Sequence, residues 1–103
     1  MAHDIDVTFD GARQILSDEL REHAQRRLAF ALRRFEDQIR HVRLRFEDVN
    51  GPRRGIDARC LVVAQLTNGK RLVVEATTAW PSASVTQAVK RLAEVLRRSK
   101  WRT

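Results

Sequence analysis

An α+β domain is predicted: a two-layer β-α-β-β-β-α sandwich in which a four-stranded, mostly antiparallel sheet carries two helices packed on one face. Three observations predict it. Ser17 to Phe35 and Ser82 to Lys100 place apolar residues three and four apart, four further runs have the length and pattern of strands, and Asn68-Gly69 joins the last two of these. Each amphipathic helix needs a surface to cover its apolar stripe, and one face of an antiparallel sheet serves both.

Ile5, Val7 and Phe9 alternate with Asp4, Asp6, Thr8 and Asp10, a period of two that reads as a short half-buried strand ending at Gly11. Ser17 is an N-cap, Asp18 and Glu19 occupy the first turn, and Leu20, Ala24, Leu28, Ala31, Leu32 and Phe35 form the stripe of the first helix. Its acids come early and its arginines late, as the helix dipole prefers. Val42, Leu44 and Phe46 then alternate with Arg43, Arg45 and Glu47, giving a strand with one charged face, and Asn50-Gly51-Pro52-Arg53-Arg54-Gly55 breaks it.

Ile56 to Leu66 and Leu72 to Ala76 are strands joined by Thr67-Asn68-Gly69-Lys70, a hairpin signal. Two registers are open. A strict two-residue turn sets Leu61, Val63 and Gln65 on the face of Leu72, Val74 and Ala76, whereas a bulge sets Cys60, Val62 and Ala64 there. Either way some apolar surface falls on the second face of the sheet. Pro81 suits the first position of the last helix, and Trp80 before it reads as a packing staple. That helix joins an apolar stripe (Val85, Ala88, Val89, Leu92, Val95, Leu96) to Lys90, Arg91, Arg97 and Arg98.

A length of 103 residues with 43% apolar content suits one compact domain over residues 1–103. No apolar run reaches membrane-spanning length, and the start Met1-Ala-His-Asp lacks the layout of a secretory signal, so a cytoplasmic location is expected. A lone cysteine, Cys60, forms no internal disulfide.

The net charge is +7, and from Thr78 onward six basic side chains face one acid, Glu94. Arginine far outnumbers lysine, which favours phosphate, because the guanidinium fork matches phosphate oxygens. A nucleic acid is the expected partner; the alternative is an ordinary solvated surface. With both helices on one sheet face, arginines of the first (Arg21, Arg27, Arg33, Arg34) would merge with the cations of the second into one surface.

Other chemistry has little to stand on. His3, His23 and His41 fall on different elements without an evident nucleophile or acid–base partner, so no enzymatic activity is expected. His23 reads as a surface or RNA-contacting residue, His41 as a strand-edge residue, and Cys60 as a small buried hydrophobe pointing away from Arg59. The four glycines match no nucleotide loop, no His or Cys pair has metal-ligand spacing, and no cofactor is implied. A basic amphipathic helix can lie on anionic lipid, but the core of so small a domain needs this apolar face, and no membrane partner is expected. Trp101, between Lys100 and Arg102, either stacks on a base or folds back on the core.

Leu20-Arg21-Glu22, Arg27-Leu28-Ala29 and Arg33-Arg34-Phe35 in the first helix, with Arg91-Leu92-Ala93-Glu94-Val95-Leu96-Arg97-Arg98-Ser99-Lys100 in the last, are similar in order and spacing to motifs of the ribosome hibernation promoting factors. That family is also called ribosome-associated inhibitors or sigma-factor modulation proteins, and the likeness spans nearly the whole chain. The resemblance implies a stress-response factor that binds ribosomal RNA of the small ribosomal subunit in the mRNA/tRNA channel and inhibits translation by occupancy. The RNA-binding residues it carries over are Arg21, Arg27, Arg33, Arg91, Arg97, Arg98 and Lys100. Longer members add a C-terminal dimerisation domain, and a short form without one, monomeric or weakly homodimeric, is expected. The chain departs from the family pattern at Phe30, where a basic residue is usual, at Glu94, and at Trp80-Pro81-Ser82. The competing reading is a generic RNA-binding or protein-interaction module that keeps the fold without the ribosomal role.

Overall fold

The computed structural model describes residues 5–49 and 57–99. The expected order is present: β1 (Asp6–Gly11), α1 (Asp18–Ala31), β2 (Ile39–Asp48), β3 (Ala58–Leu66), β4 (Arg71–Thr78) and α2 (Pro81–Ser99), with a 3-10 segment, Arg33–Gln38, between α1 and β2. The strands lie in the order β1-β2-β3-β4. β1 runs parallel to β2 and the other neighbours are antiparallel, so the sheet is mostly antiparallel as predicted. The Asn50–Gly55 break lies outside the described residues.

Alternation decides what is buried. Val42, Leu44 and Phe46 of β2 and Ala58, Cys60, Val62 and Ala64 of β3 are fully enclosed against Val85, Ala88, Leu92 and Leu96 of α2 and Ala24 and Leu28 of α1. Each large side chain sealed in this way contributes about 1.5–3 kcal/mol. One position breaks the alternation. The β2–β3 register shifts between Ile39 and His41, and the bulge puts Ile39 in the core while Arg40 and His41 both face out. His41 is on an internal strand and not at a sheet edge, with Nε2 3.1 Å from Thr8 Oγ1 on β1.

The hairpin takes the bulged register. Cys60 pairs with Ala76, Val62 with Val74 and Ala64 with Leu72. The Gly69 N–H donates to the Leu66 carbonyl at 3.1 Å and the Leu66 N–H to the Lys70 carbonyl at 2.8 Å, so the loop has three residues and Gly69 closes it with φ +90°. Leu61, Val63 and Val73 are the apolar residues this register turns toward the open face of the sheet.

Pro81 is the first residue of α2, as expected. Trp80 does not pack as a staple: its residue is 72% exposed. Hydrogen bonds moor the helix entrance instead. Buried Ser84 Oγ donates to the Ala58 carbonyl of β3 at 2.5 Å and accepts the Thr78 N–H of β4 at 3.1 Å, while Thr78 Oγ1 accepts the Trp80 N–H at 3.1 Å. With the backbone fixed by polar contacts, the indole is left outside.

Candidate nucleic-acid interface

The interface begins with the relative direction of the helices. Ser17 caps α1, its Oγ accepting the Leu20 N–H at 3.1 Å. One turn on, His23 Nε2 lies 3.3 Å from both the Ser82 carbonyl and Thr86 Oγ1, in the first turns of α2. His23 is thus half-buried between the helices rather than on a free surface. At the far end, Phe30, Ala31, Arg33, Arg34 and Phe35 share a recess of about 360 Å³ with Ala93 and Arg97. Beginning meets beginning and end meets end, so the helices run parallel. Both carbonyl termini, each carrying partial negative charge, point to the same end of the domain.

Cations gather there. The α-helical turns of α1 stop at Ala31, short of the predicted Phe35, and the tighter 3-10 coil that follows carries Arg33 and Arg34 exposed beside the last turns of α2. Arg97 and Arg98 lie in the last turn of α2, whereas Asp18 and Glu19 occupy the first turn of α1. The first turn of α1 is therefore acidic and the last turn of α2 basic, and the 3-10 segment sets Glu36 and Asp37 after its two arginines.

The arginines singled out from the sequence divide into groups. Arg33 and Arg97 line the same recess. Arg27 is half-buried, four residues after seam-facing His23 and three before Phe30, which sets it along the seam. Its Nε is buried with no hydrogen-bond partner. Arg21 is exposed, but six residues before Arg27 it points about 120° away around the helix, toward the other flank of α1. Arg91 donates from its guanidinium to the Glu75 carbonyl of β4. Arg98, seven residues later, follows it on that sheet-edge side. Lys100 and Trp101 lie outside the described residues. The merged surface is thus a cationic end with Arg21 on one flank and Arg91 and Arg98 on the other.

Arg34, expected with Arg33 on the shared surface, adjoins it and lines the same recess. Sequence reasoning passes over one member of this end as a binding residue. Phe30, a departure by pattern, is 75% exposed at the recess. An aromatic off the apolar stripe, followed by basic residues, was the available clue.

Charge on the open face of the sheet is largely internally matched. Asp10 accepts from Arg43 and, at 3.0 Å, from Arg45, while Glu47 accepts from Arg59 at 2.7 Å. The hydrogen bond from Arg43 is the main influence holding the Asp10 carboxyl below its ordinary range, and that from Arg59 does the same for Glu47. Arg33, Arg34 and Arg97 have no carboxylate partner among the described residues. Their charge is available to a ligand.

No cluster of three metal-ligating side chains occurs among the described residues, and no helix among them is long and apolar enough to cross a membrane. Cys60 is enclosed, and burial pushes its thiol up to about 12.

The fold is shared with solved structures of low sequence identity. The N-terminal domain of Protein Y from Thermus thermophilus superposes with a TM-score of 0.74 at 20% identity, over 91% of this chain and 98% of that one. A ribosomal subunit interface protein from Coxiella burnetii superposes with a TM-score of 0.79 at 17% identity, over 95% of this chain and 100% of that one. A search of curated protein sequences gives no match. The family profile described as Sigma 54 modulation protein / S30EA ribosomal protein matches residues 5–103. Spanning nearly the whole sequence, that match places the protein in the Sigma 54 modulation / S30EA ribosomal protein family.

Proposed function

We propose that this protein binds the small ribosomal subunit in the channel used by mRNA and tRNA and inhibits translation by occupying it. Arg27, Arg33, Arg34 and Arg97 form the centre of the contact with ribosomal RNA, with Arg21, Arg91 and Arg98 at its margins and Lys100 as a further contact. The observation that carries the reading is the gathering of carboxylate-free arginines where two parallel helices end, in a chain of a ribosomal family. The sheet side, where several cations already have carboxylate partners, has less charge to give.

Neutralising phosphate releases condensed counterions. About three to five such contacts give a log–log dependence of affinity on salt with a slope of roughly −2 to −4. The test is co-sedimentation with separated small and large subunits across a salt series, with translation measured in parallel. Salt-sensitive pelleting with the small subunit, together with inhibition, is expected; no pelleting at low salt would end the proposal.

A further inference from the structure

We infer that Phe30 is a stacking platform for an unpaired RNA base, so that the interface grips a nucleotide by its ring as well as by its phosphates. The inference deepens the RNA-binding reading above and rests on it. Phe30 follows buried Leu28 and precedes buried Leu32, yet is itself 75% exposed, so the core does not use its ring. At its foot is the recess of about 360 Å³, whose apolar lining is Phe30, Ala31, Phe35 and Ala93 and whose charged lining is Arg33, Arg34 and Arg97.

An aromatic face among guanidinium groups is the combination with which single-strand binders hold nucleotides: the ring stacks on a base while the cations follow the backbone. Guanidinium planes also stack on unpaired bases. A duplex keeps its base faces covered by neighbouring pairs, so the arrangement selects unpaired RNA. An apolar protein surface is a poorer occupant, because it would desolvate three cations without pairing them. Trp80 is the natural contrast. It is 72% exposed, but its shallow recess is shared with His23, Ser82, Ala83, Thr86 and Gln87 and includes no Arg or Lys. Charge complementarity therefore favours Phe30 over Trp80.

The experiment measures fluorescence anisotropy of a labelled single-stranded oligoribonucleotide and of the same strand in duplex, with wild type, Phe30→Ala, Phe30→Trp and Trp80→Ala, and small-subunit pelleting alongside. Phe30→Ala is expected to lose about tenfold in affinity for the single strand, with its salt slope and duplex affinity unchanged. Phe30→Trp and Trp80→Ala should bind as wild type does. Equal single-strand affinity of Phe30→Ala and wild type, or no binding of the single strand by wild type, overturns the inference. A Phe30→Ala defect confined to subunit pelleting also overturns it and marks an apolar protein contact. If Phe30→Ala loses single-strand affinity but wild type does not pellet with subunits, stacking stands and the ribosomal reading falls.

Discussion

Gly11 lies so close to Phe46 that a β-carbon on it would stand 2.1 Å from the Phe46 carbonyl oxygen. The contact fastens the end of β1 to β2, and the next residue, Ala12, donates its N–H to the same oxygen at 3.0 Å. Gly11 also holds φ +118°, a conformation that L side chains rarely adopt. Gly11→Ala should therefore destabilise the domain by about 1–3 kcal/mol from the backbone conformation, with the clash adding to it. A urea midpoint unchanged from wild type would contradict this.

Cys60 should be inert in the native protein. Only the thiolate reacts readily, and burial keeps the proton on this sulfur up to about 12. A thiol reagent such as dithionitrobenzoate is expected to label it only as the chain unfolds. Rapid stoichiometric labelling of folded protein at neutral pH would show that β3 is more open than its burial indicates.

Acid should weaken the join between β1 and β2. The Asp10 carboxyl is held below its ordinary range in the folded chain, chiefly by the Arg43 hydrogen bond. Its contribution is therefore complete above the unfolded-state pKa, near about 4, and is lost as pH falls through the lower folded value. Asp10 and its arginine partners are solvent-accessible, so the effect is small. Asp10→Asn should show a shallower fall in urea midpoint than wild type between about pH 5 and about pH 2. Identical falls would mean that the pair contributes nothing to folding.

Arg33→Glu with Arg97→Glu should abolish small-subunit pelleting near physiological salt. Replacing either cation alone with Ala should flatten the log–log salt slope by about 0.7–0.9 if each meets one phosphate. Both side chains are exposed, so the thermal melt should hardly move. Arg91 is a less discriminating site, because its guanidinium is hydrogen-bonded to β4 and its loss would also loosen the docking of α2. Full pelleting by the folded double variant would remove the helix-end interface.

Element order was legible because Val42, Leu44 and Phe46 report a period of two and Leu20, Ala24 and Leu28 a period near four, and both patterns follow from which side chains must leave water. The hairpin register was not. It depends on whether Gly69 closes a two- or three-residue loop, and Asn-Gly serves both. Trp80 was misjudged because its apolar bulk implied burial, while Thr78 and Ser84 had already secured the helix entrance with hydrogen bonds. The arginines were visible as residue types, but their grouping was not. Arg91 and Arg97 are near in sequence, yet one reaches the edge of β4 and the other the α1 seam, a division set by which face of α2 the core takes.

Strand order that matches chain order also shapes how the domain assembles. β3 and β4 meet across a three-residue loop, so their contacts form at small entropic cost. β1 pairs with β2 only after the chain has travelled through α1 and the 3-10 segment, and contacts of that range form late and slowly. The β2–β4 meander is therefore expected to form before the first strand docks on it. In the native protein that same strand, like β4, lies on a sheet edge with a single neighbour, where local opening is expected to begin.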